Sequence, residues 1–383
     1  MNNHPVIDQL ATEWQFIRQT LKMGAILDQA ITLQQIPAPT FEEKFRASYV
    51  KDQFHAIGLG HIEHDEWENV YGWLGNPQCE KVVLVSAHLD TVFPQETDLA
   101  IRYDGGRVYG PGLGDNSLGV AALLILAQTL VNLSLPDGVA VCFAANSREE
   151  GLGNLDGIRA VAQRVANIKA AIVIEGIALG RIYHGGIAVR RLRIATRAEG
   201  GHSWLNFGRA SAIHGLVQFA ADITQLRVPT EPRTTYNIGL IGGGHSVNSI
   251  ATDAHLYLDL RSTSTAALSE LEQRIHELVR HHQTPELSFT VEKVGDRPAG
   301  SIPSDHPLVK LALSSLTEIG LHGGLEQGST DANILLAQGI PSVVVGVTYG
   351  GNAHRLDEFI ETSPLTEGVW HLLLLVGAAI RSV

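Results

Sequence analysis

Four short runs of apolar residues govern what this chain can fold into: Val82–Val85, Val139–Ala145, Ala171–Ile174 and Val343–Val347. They are rich in β-branched side chains, too short for helices, and apolar at consecutive rather than alternate positions. A strand of that kind must be covered on both faces, which is the situation of a parallel sheet between helices. Helical stretches at Ser117–Leu133, Gly157–Ala166 and Leu308–Ile319 fall between the runs. Strands alternating with helices predict an α/β fold with a largely parallel sheet and helices on both faces. Ahead of them, residues 1–60 read as helical from Trp14 to Ala30 and from Phe41 to Ala56, parted by Pro37 and Pro39.

The rhythm changes near Gly186. Val189–Ala195 alternates like a half-buried strand, Ala210–Leu226 is helical, and Thr235–Ile241 and His255–Arg261 are strands. Ala266–His281 then carries Leu268, Leu271, Ile275 and Leu278 on one helical face, and Leu287–Val294 closes the set as a strand. The order β-α-β-β-α-β is the ferredoxin-like arrangement. The α/β pattern resumes near Pro298. The expected organisation is therefore one α/β domain from residues 1–185 and 298–383, with a smaller α+β domain, residues 186–297, inserted into it.

Composition excludes several classes. At 383 residues and 44% hydrophobic content the chain is too apolar for a disordered protein and long enough for two domains. Lys and Arg number 28 against 40 Asp and Glu, a net charge of −12, and no basic stripe of a nucleic-acid binder is visible. The longest apolar runs, Leu118–Ala127 and Leu372–Ile380, are too short to span a bilayer, so no membrane partner is expected. Cys79 and Cys142 cannot build a disulfide framework. The first residues lack the basic and apolar regions of a secretory signal, which makes a cytoplasmic location the expectation.

Sites in open parallel sheets form beyond the carboxyl ends of the strands. Those ends carry chemistry here. His88-Leu-Asp90 follows the first run, Ser147-Arg-Glu149-Glu150 the second and Glu175 the third, and His354 comes after a Gly-rich loop beyond the fourth. The loop Gly110-Pro-Gly-Leu-Gly114 delivers Asp115 to the start of a long helix, where it also reads as an N-cap. Two imidazoles and three carboxylates suit a pair of zinc-like ions, with a carboxylate such as Asp115 bridging them. The two-residue spacing of His88 and Asp90 puts both on one side of an extended chain, so Asp90 can accept the second imidazole N–H. Adjacent Glu149 and Glu150 point apart, one towards metal and one towards the attacking water. The glycine loop faintly resembles a phosphate cradle, but a carboxylate at that helix start would repel a pyrophosphate. Asp331 reads as a helix cap outside the site.

In order along the chain, His88-Leu-Asp90-Thr-Val92, Gly112-Leu-Gly-Asp115-Asn116, Glu149-Glu150-Gly151, Glu175, Gly201-His202-Ser203, Asn248-Ser249, Gly328-Ser-Thr-Asp331 and His354 resemble the dinuclear zinc exopeptidase and deacylase family. That family includes acetylornithine deacetylase, succinyl-diaminopimelate desuccinylase, glutamate carboxypeptidase and the tripeptidases. The resemblance implies His88, Asp115 (bridging), Glu150, Glu175 and His354 as ligands of two divalent ions, zinc first with cobalt or manganese as substitutes. It implies Glu149 as general acid/base and Asp90 as the carboxylate beneath His88. It also implies a homodimer formed through the inserted lid domain, with His202 reaching the partner's site to steady an oxyanion. Asn248, Arg261, Gly328 and Ser329 match substrate contacts. Many relatives carry a second Asp where Asn116 stands. The implied activity is hydrolysis of an amide in a small peptide or N-acyl amino acid. Carboxypeptidase, aminopeptidase and deacylase versions stay open, as does a catalytically silent binding relative, whose mark would be a missing ligand or base.

Overall fold

The computed structural model describes residues 4–383. Contacts divide the chain into two compact units, Met1–Gly186 with Gly300–Val383, and Ile187–Ala299.

The larger unit is built on a mixed, mostly parallel sheet. Among the described residues its strand order is Gly60–His64, Val70–Leu74, Val139–Asn146, Lys81–His88, Ile168–Glu175, Ser342–Gly346, Arg181–Gly186 and Gly300–Ser301, with Gly324–Gly328 also pairing with Arg181–Gly186. The four central strands run parallel, in registers such as Leu84 with Cys142, Leu84 with Ala171 and Val344 with Val173. Lys81–His88 is buried from Val82 onward and Val139–Asn146 throughout, as unbroken apolar runs require. Burial also pushes the Cys142 thiol pKa up. The flanking strands Gly60–His64 and Val70–Leu74 join antiparallel.

The helices Leu118–Leu130 and Leu365–Ser382 lie in the core, the second with every residue from Gly368 to Ile380 buried. The segment Leu113–Leu130 has, over 18 residues, the length and apolarity of a membrane span, longer than the run expected from sequence, because the turn at Leu113–Ser117 leads directly into the helix. It is 78% buried within the protein, which is how a core helix of a globular domain looks. The N-terminal region differs from the sequence expectation as well. Its helices are Pro5–Glu13, Gln15–Thr20 and Met23–Gln34, because Leu21 and Lys22 are extended and interrupt the Trp14–Ala30 stretch. Two short strands, the exposed Arg102–Asp104 and Arg107–Tyr109 with Val108 buried, pair into a small sheet with Phe359–Glu361 and Gly350–Gly351.

The second unit has the order β-α-β-β-α-β: strand Ala188–Ala198, helix Ala212–Thr224, strands Thr234–Gly243 and Asp253–Ser262, helix Thr265–His282 and strand Leu287–Arg297. Across the sheet the strands lie as Thr234–Gly243, Asp253–Ser262, Ala188–Ala198 and Leu287–Arg297, all antiparallel. Asp253–Ser262 buries only alternate residues, Ala254, Leu256, Leu258, Leu260 and Ser262. Those face a separate core with Leu216, Phe219, Leu271 and Ile275 of the two helices. A two-residue pairing of Gly201–His202 with Ser249–Ile250 stands apart from this sheet.

Candidate active site

Three parallel strands end together. His88, the last residue of its strand, pairs in register with Asn146, and Glu175 is the last residue of Ile168–Glu175. His88 is buried, and its Nδ1–H donates to the backbone carbonyl of Asp90 at 3.1 Å. That leaves Nε2 as the ring nitrogen facing the other acidic side chains. The Asp90 carboxylate, expected as the acceptor, is farther away at 3.6 Å. Its oxygens are used elsewhere. Oδ1 accepts the backbone N–H of Glu149, while Oδ2 accepts that of Glu150 and the Thr40 hydroxyl, each at 2.9 Å. Asp90 thus ties two strand ends together. Below it the buried Arg46 donates to Leu89 O at 2.8 Å.

Around His88 Nε2 stand Asp115 Oδ1 at 3.2 Å and Glu175 Oε2 at 3.6 Å. The other Asp115 oxygen, Oδ2, lies 3.2 Å from His354 Nε2, which is 2.9 Å from Glu150 Oε1. His88, Asp115 and Glu175 therefore form one group of donor atoms and Asp115, Glu150 and His354 a second, each within 4.8 Å. For a metal–ligand distance of about 2.0–2.1 Å, tetrahedral donors sit about 3.3–3.4 Å apart, and the imidazole–carboxylate pairs here, at 2.9–3.6 Å, bracket that spacing. Among the described residues the ion pairs of Asp115, Glu150 and Glu175 are with imidazoles alone. The donor set fits two divalent cations sharing Asp115.

The electrostatics carry the mark of clustered charge. Burial, with Asp115 and Glu149 nearby, pushes Glu150 and Glu175 up to about 7. Burial works against a charged His88, but the nearby carboxylates of Asp115, Asp90 and Glu175 hold its pKa well above the ordinary value. Bonds to Asp115 and Glu150 raise His354 to about 10. Burial alone would raise Asp115, and the two histidines pull it below its ordinary range.

Asp115 is not a helix cap, contrary to one of its sequence readings. It lies in an irregular turn, Leu113–Ser117, before the helix proper begins at Leu118, and its φ and ψ of −115° and 90° are not helical. Gly112 precedes the turn with φ +68°, a conformation open to glycine, and a Cβ there would meet the Thr91 side chain at 2.8 Å. Asn116 brackets Glu175: its Nδ2 donates to Ile174 O at 2.8 Å and its Oδ1 accepts from Gly176 N at 3.0 Å. An amide can do both and a carboxylate cannot, which accounts for the Asn at this position.

Glu149 is buried. Gly328 ends a strand paired with Arg181–Gly186, and a Cβ there would meet the Tyr183 ring at 2.9 Å; Ser329 follows it. Asp331, read from sequence as a helix cap, makes no capping bond. It is buried and accepts from Asn146 Nδ2 at 2.7 Å, and burial with the nearby Glu149 charge raises its pKa well above the ordinary value. Glu358 was not anticipated. It is buried, and its Oε1 accepts the N–H groups of Gly114 at 2.7 Å and Asp115 at 3.0 Å. Burial, then Asp115, pushes it up to about 7. Its place four residues after His354 was the available signal, but Arg355-Leu-Asp-Glu358 reads as a solvated turn.

His202, Asn248 and Arg261 belong to the second unit. His202 is exposed, its Nδ1 accepts the Trp204 N–H at 3.2 Å, and it pairs in register with Ser249. Asn248 is next in line: its carbonyl accepts from Ser203 N at 3.0 Å and its Oδ1 from the Ser246 hydroxyl at 2.6 Å. Arg261 is half-exposed and its Nε donates to Asp259 at 2.6 Å.

The profile of peptidase family M20/M25/M40 matches residues 84–377, and the chain belongs to this family of hydrolases of the metallopeptidase class. Its relatives include a succinyl-diaminopimelate desuccinylase of Corynebacterium glutamicum, 24% identical over 362 residues, covering 91% of this chain and 96% of the relative. Among solved structures, a tripeptidase from Staphylococcus aureus superimposes with a TM-score of 0.76 at 22% identity, covering 94% of this chain and 100% of the other. A dinuclear metal binding peptidase from Bacillus subtilis gives 0.67 at 16% identity, covering 94% and 99%.

Proposed function

We propose that the chain hydrolyses an amide bond in a small N-acyl amino acid or short peptide bearing a free carboxylate, with two zinc-class ions held by His88, Asp115, Glu150, Glu175 and His354. The observation that carries this reading is the division of Asp115: one oxygen faces His88 and the other faces His354, with Glu175 and Glu150 completing the two donor groups. The likeness to the dinuclear metal binding peptidase of Bacillus subtilis is in keeping with it.

Bound ions of this kind supply an activated water and polarise the scissile carbonyl. Glu149 takes the proton of the attacking water and returns it to the leaving amine as the C–N bond breaks. Its backbone is fixed for that task through Asp90. His202 supplies the donor for the oxyanion. Because its Nδ1 accepts a backbone N–H, the neutral ring carries its proton on Nε2, free to point at a substrate. Asn248, Arg261, Gly328 and Ser329 hold the substrate, and Asp259 orients the Arg261 guanidinium.

In this reading Ile187–Ala299 is a ferredoxin-like lid and dimerisation domain, and His202 serves the partner subunit. Support comes from that unit's surface. Strand Thr234–Gly243 is an edge strand with Leu240 and Ile241 exposed, a surface suited to pairing with a second copy. Trp204 and Phe207, beside His202, are 83% and 92% exposed. The desuccinylase relative favours an acylated substrate and the tripeptidase neighbour a free amine. The test is a metal count with a hydrolysis screen of N-acyl amino acids, dipeptides and tripeptides. Two ions per chain and turnover of at least one class are expected, and protein that takes up no zinc ends the reading.

A further inference from the structure

We propose that Glu358 is the positioning residue for Asp115, acting as the acceptor that sets the loop from which Asp115 divides itself between His88 and His354. The inference rests on the two-ion reading of that site. Glu358 lies 243 residues from Asp115 and never touches its carboxylate; it holds the backbone instead. Its Oε1 takes the N–H groups of two successive residues, Gly114 at 2.7 Å and Asp115 at 3.0 Å, and its own carbonyl accepts from Gly110 N at 2.9 Å. The loop is thus fastened at both ends to one residue. The contact is close: a Cβ on Gly114 would stand 3.2 Å from Glu358 Oε1 and 2.5 Å from Ile177 Cγ2, so glycine is needed for the carboxylate to reach the N–H pair. Successive N–H groups turned the same way are a receptor for an anion. Here the protein fills that receptor with its own side chain, which also explains why the glycine loop is no phosphate cradle.

The arrangement makes a graded claim. The position needs a planar acceptor of the right length. A glutamine offers Oε1 at the same reach and keeps both bonds. An aspartate is one methylene short, and an alanine offers nothing. Partners of this kind behind a metal ligand typically change metal affinity by roughly 10–100-fold.

The experiment uses the full chain stripped of metal, as wild type, Glu358→Gln, Glu358→Asp and Glu358→Ala. Zinc titration by calorimetry reads affinity and stoichiometry, cobalt(II) absorption reads ligand geometry, and the melting temperature of the metal-free protein reads folding. Expected is uptake of two ions by wild type, similar affinity and cobalt spectrum for Glu358→Gln, and a roughly 10–100-fold loss with an altered spectrum for Glu358→Asp and Glu358→Ala. If Glu358→Ala does not fold, the Gln and Asp variants decide between themselves. Three results overturn the proposal: wild-type affinity and spectrum in Glu358→Ala or Glu358→Asp, a Glu358→Gln variant as weak as Glu358→Asp, or melting losses with no change in metal binding. A wild-type chain that binds no ion sinks the two-ion reading itself and this inference with it, an outcome distinct from the other three.

Discussion

The two units present their candidate functional residues in opposite ways. In the larger unit the strand Lys81–His88 is buried at every position after the first, and it delivers a buried His88 to a cluster of five ionisable groups that have one another for partners and that opens to solvent at His354. In the inserted unit Asp253–Ser262 buries every second residue, and Arg261 emerges on the other face, in reach of solvent. His202 and Asn248 lie on loops joined by a two-residue pairing. The first set has the make-up of a cation site, since three carboxylates crowded together are unfavourable without positive charge. The second set is displayed outward, with each residue oriented by short-range bonds. A sheet covered on both faces makes a deep, rigid set of ligands, while a one-faced sheet offers its residues to whatever docks on it.

That contrast can be broken or sharpened by experiment. The largest effect is expected in the first set: Glu149→Gln should lower turnover by up to about 10⁴-fold, within the roughly 10²–10⁴-fold typical of a general base, while both ions stay bound. Retained turnover, or loss of metal, would remove Glu149 from the role of base. In the displayed set, His202→Ala should reduce kcat by roughly 10²–10³-fold without affecting metal affinity. On the proposal that His202 serves a partner subunit, mixing it with Glu149→Gln should restore activity, because a heterodimer would contain one site with both groups intact; no recovery on mixing would overturn that part of the proposal. Third, Leu84→Ala and Leu256→Ala should each cost about 2–5 kcal/mol, since both leucines are fully buried. Only the first should also impair zinc uptake. Equal loss of zinc binding in the two variants would mean that the units do not hold their sites independently.

A smaller effect concerns His371, buried in the larger unit with Ser315 Oγ 2.9 Å from its Nδ1. Burial lowers its pKa to about 4, against about 6.5 in an unfolded chain. As pH falls below about 6.5 the unfolded chain takes up the proton first, so stability present above that pH drains away down to about pH 4. The loss reaches about 3 kcal/mol, and denaturant titrations of His371→Leu should lack this part of the acid limb. Smallest of all, Arg261→Ala should change stability by less than about 1 kcal/mol, since its pair with Asp259 is half-exposed. A raised KM with unchanged melting temperature would identify it as a substrate contact.

Much of the larger unit could be read in advance, because a strand covered on both faces writes its burial into consecutive residues, as Val82–Val85 and Val343–Val347 do. The groups at those strand ends followed from the same logic. What escaped notice depends on contacts without a local pattern. Arg102–Asp104 and Phe359–Glu361 are three residues long and belong to a small sheet outside the core. The break at Leu21 and Lys22 carries no glycine or proline. Glu358 drew no notice and Asp331 read as a helix cap because their partners, Asp115 N and Asn146 Nδ2, are more than 180 positions away. The partner of His88 Nδ1 is a backbone carbonyl, which no side-chain spacing could reveal.

The discontinuity of the larger unit also has a consequence for biosynthesis. His88, Asp115, Glu150 and Glu175 leave the ribosome before the intervening 113-residue unit, and His354 and the buried helix Leu365–Ser382 after it. At about 5–20 residues per second, the nascent chain spends on the order of 10–40 s with a half-finished sheet and an exposed cluster of acids. During that interval the inserted unit, continuous in sequence, can fold by itself on the tethered chain. The proposed two-ion site cannot be complete until His354 has been made.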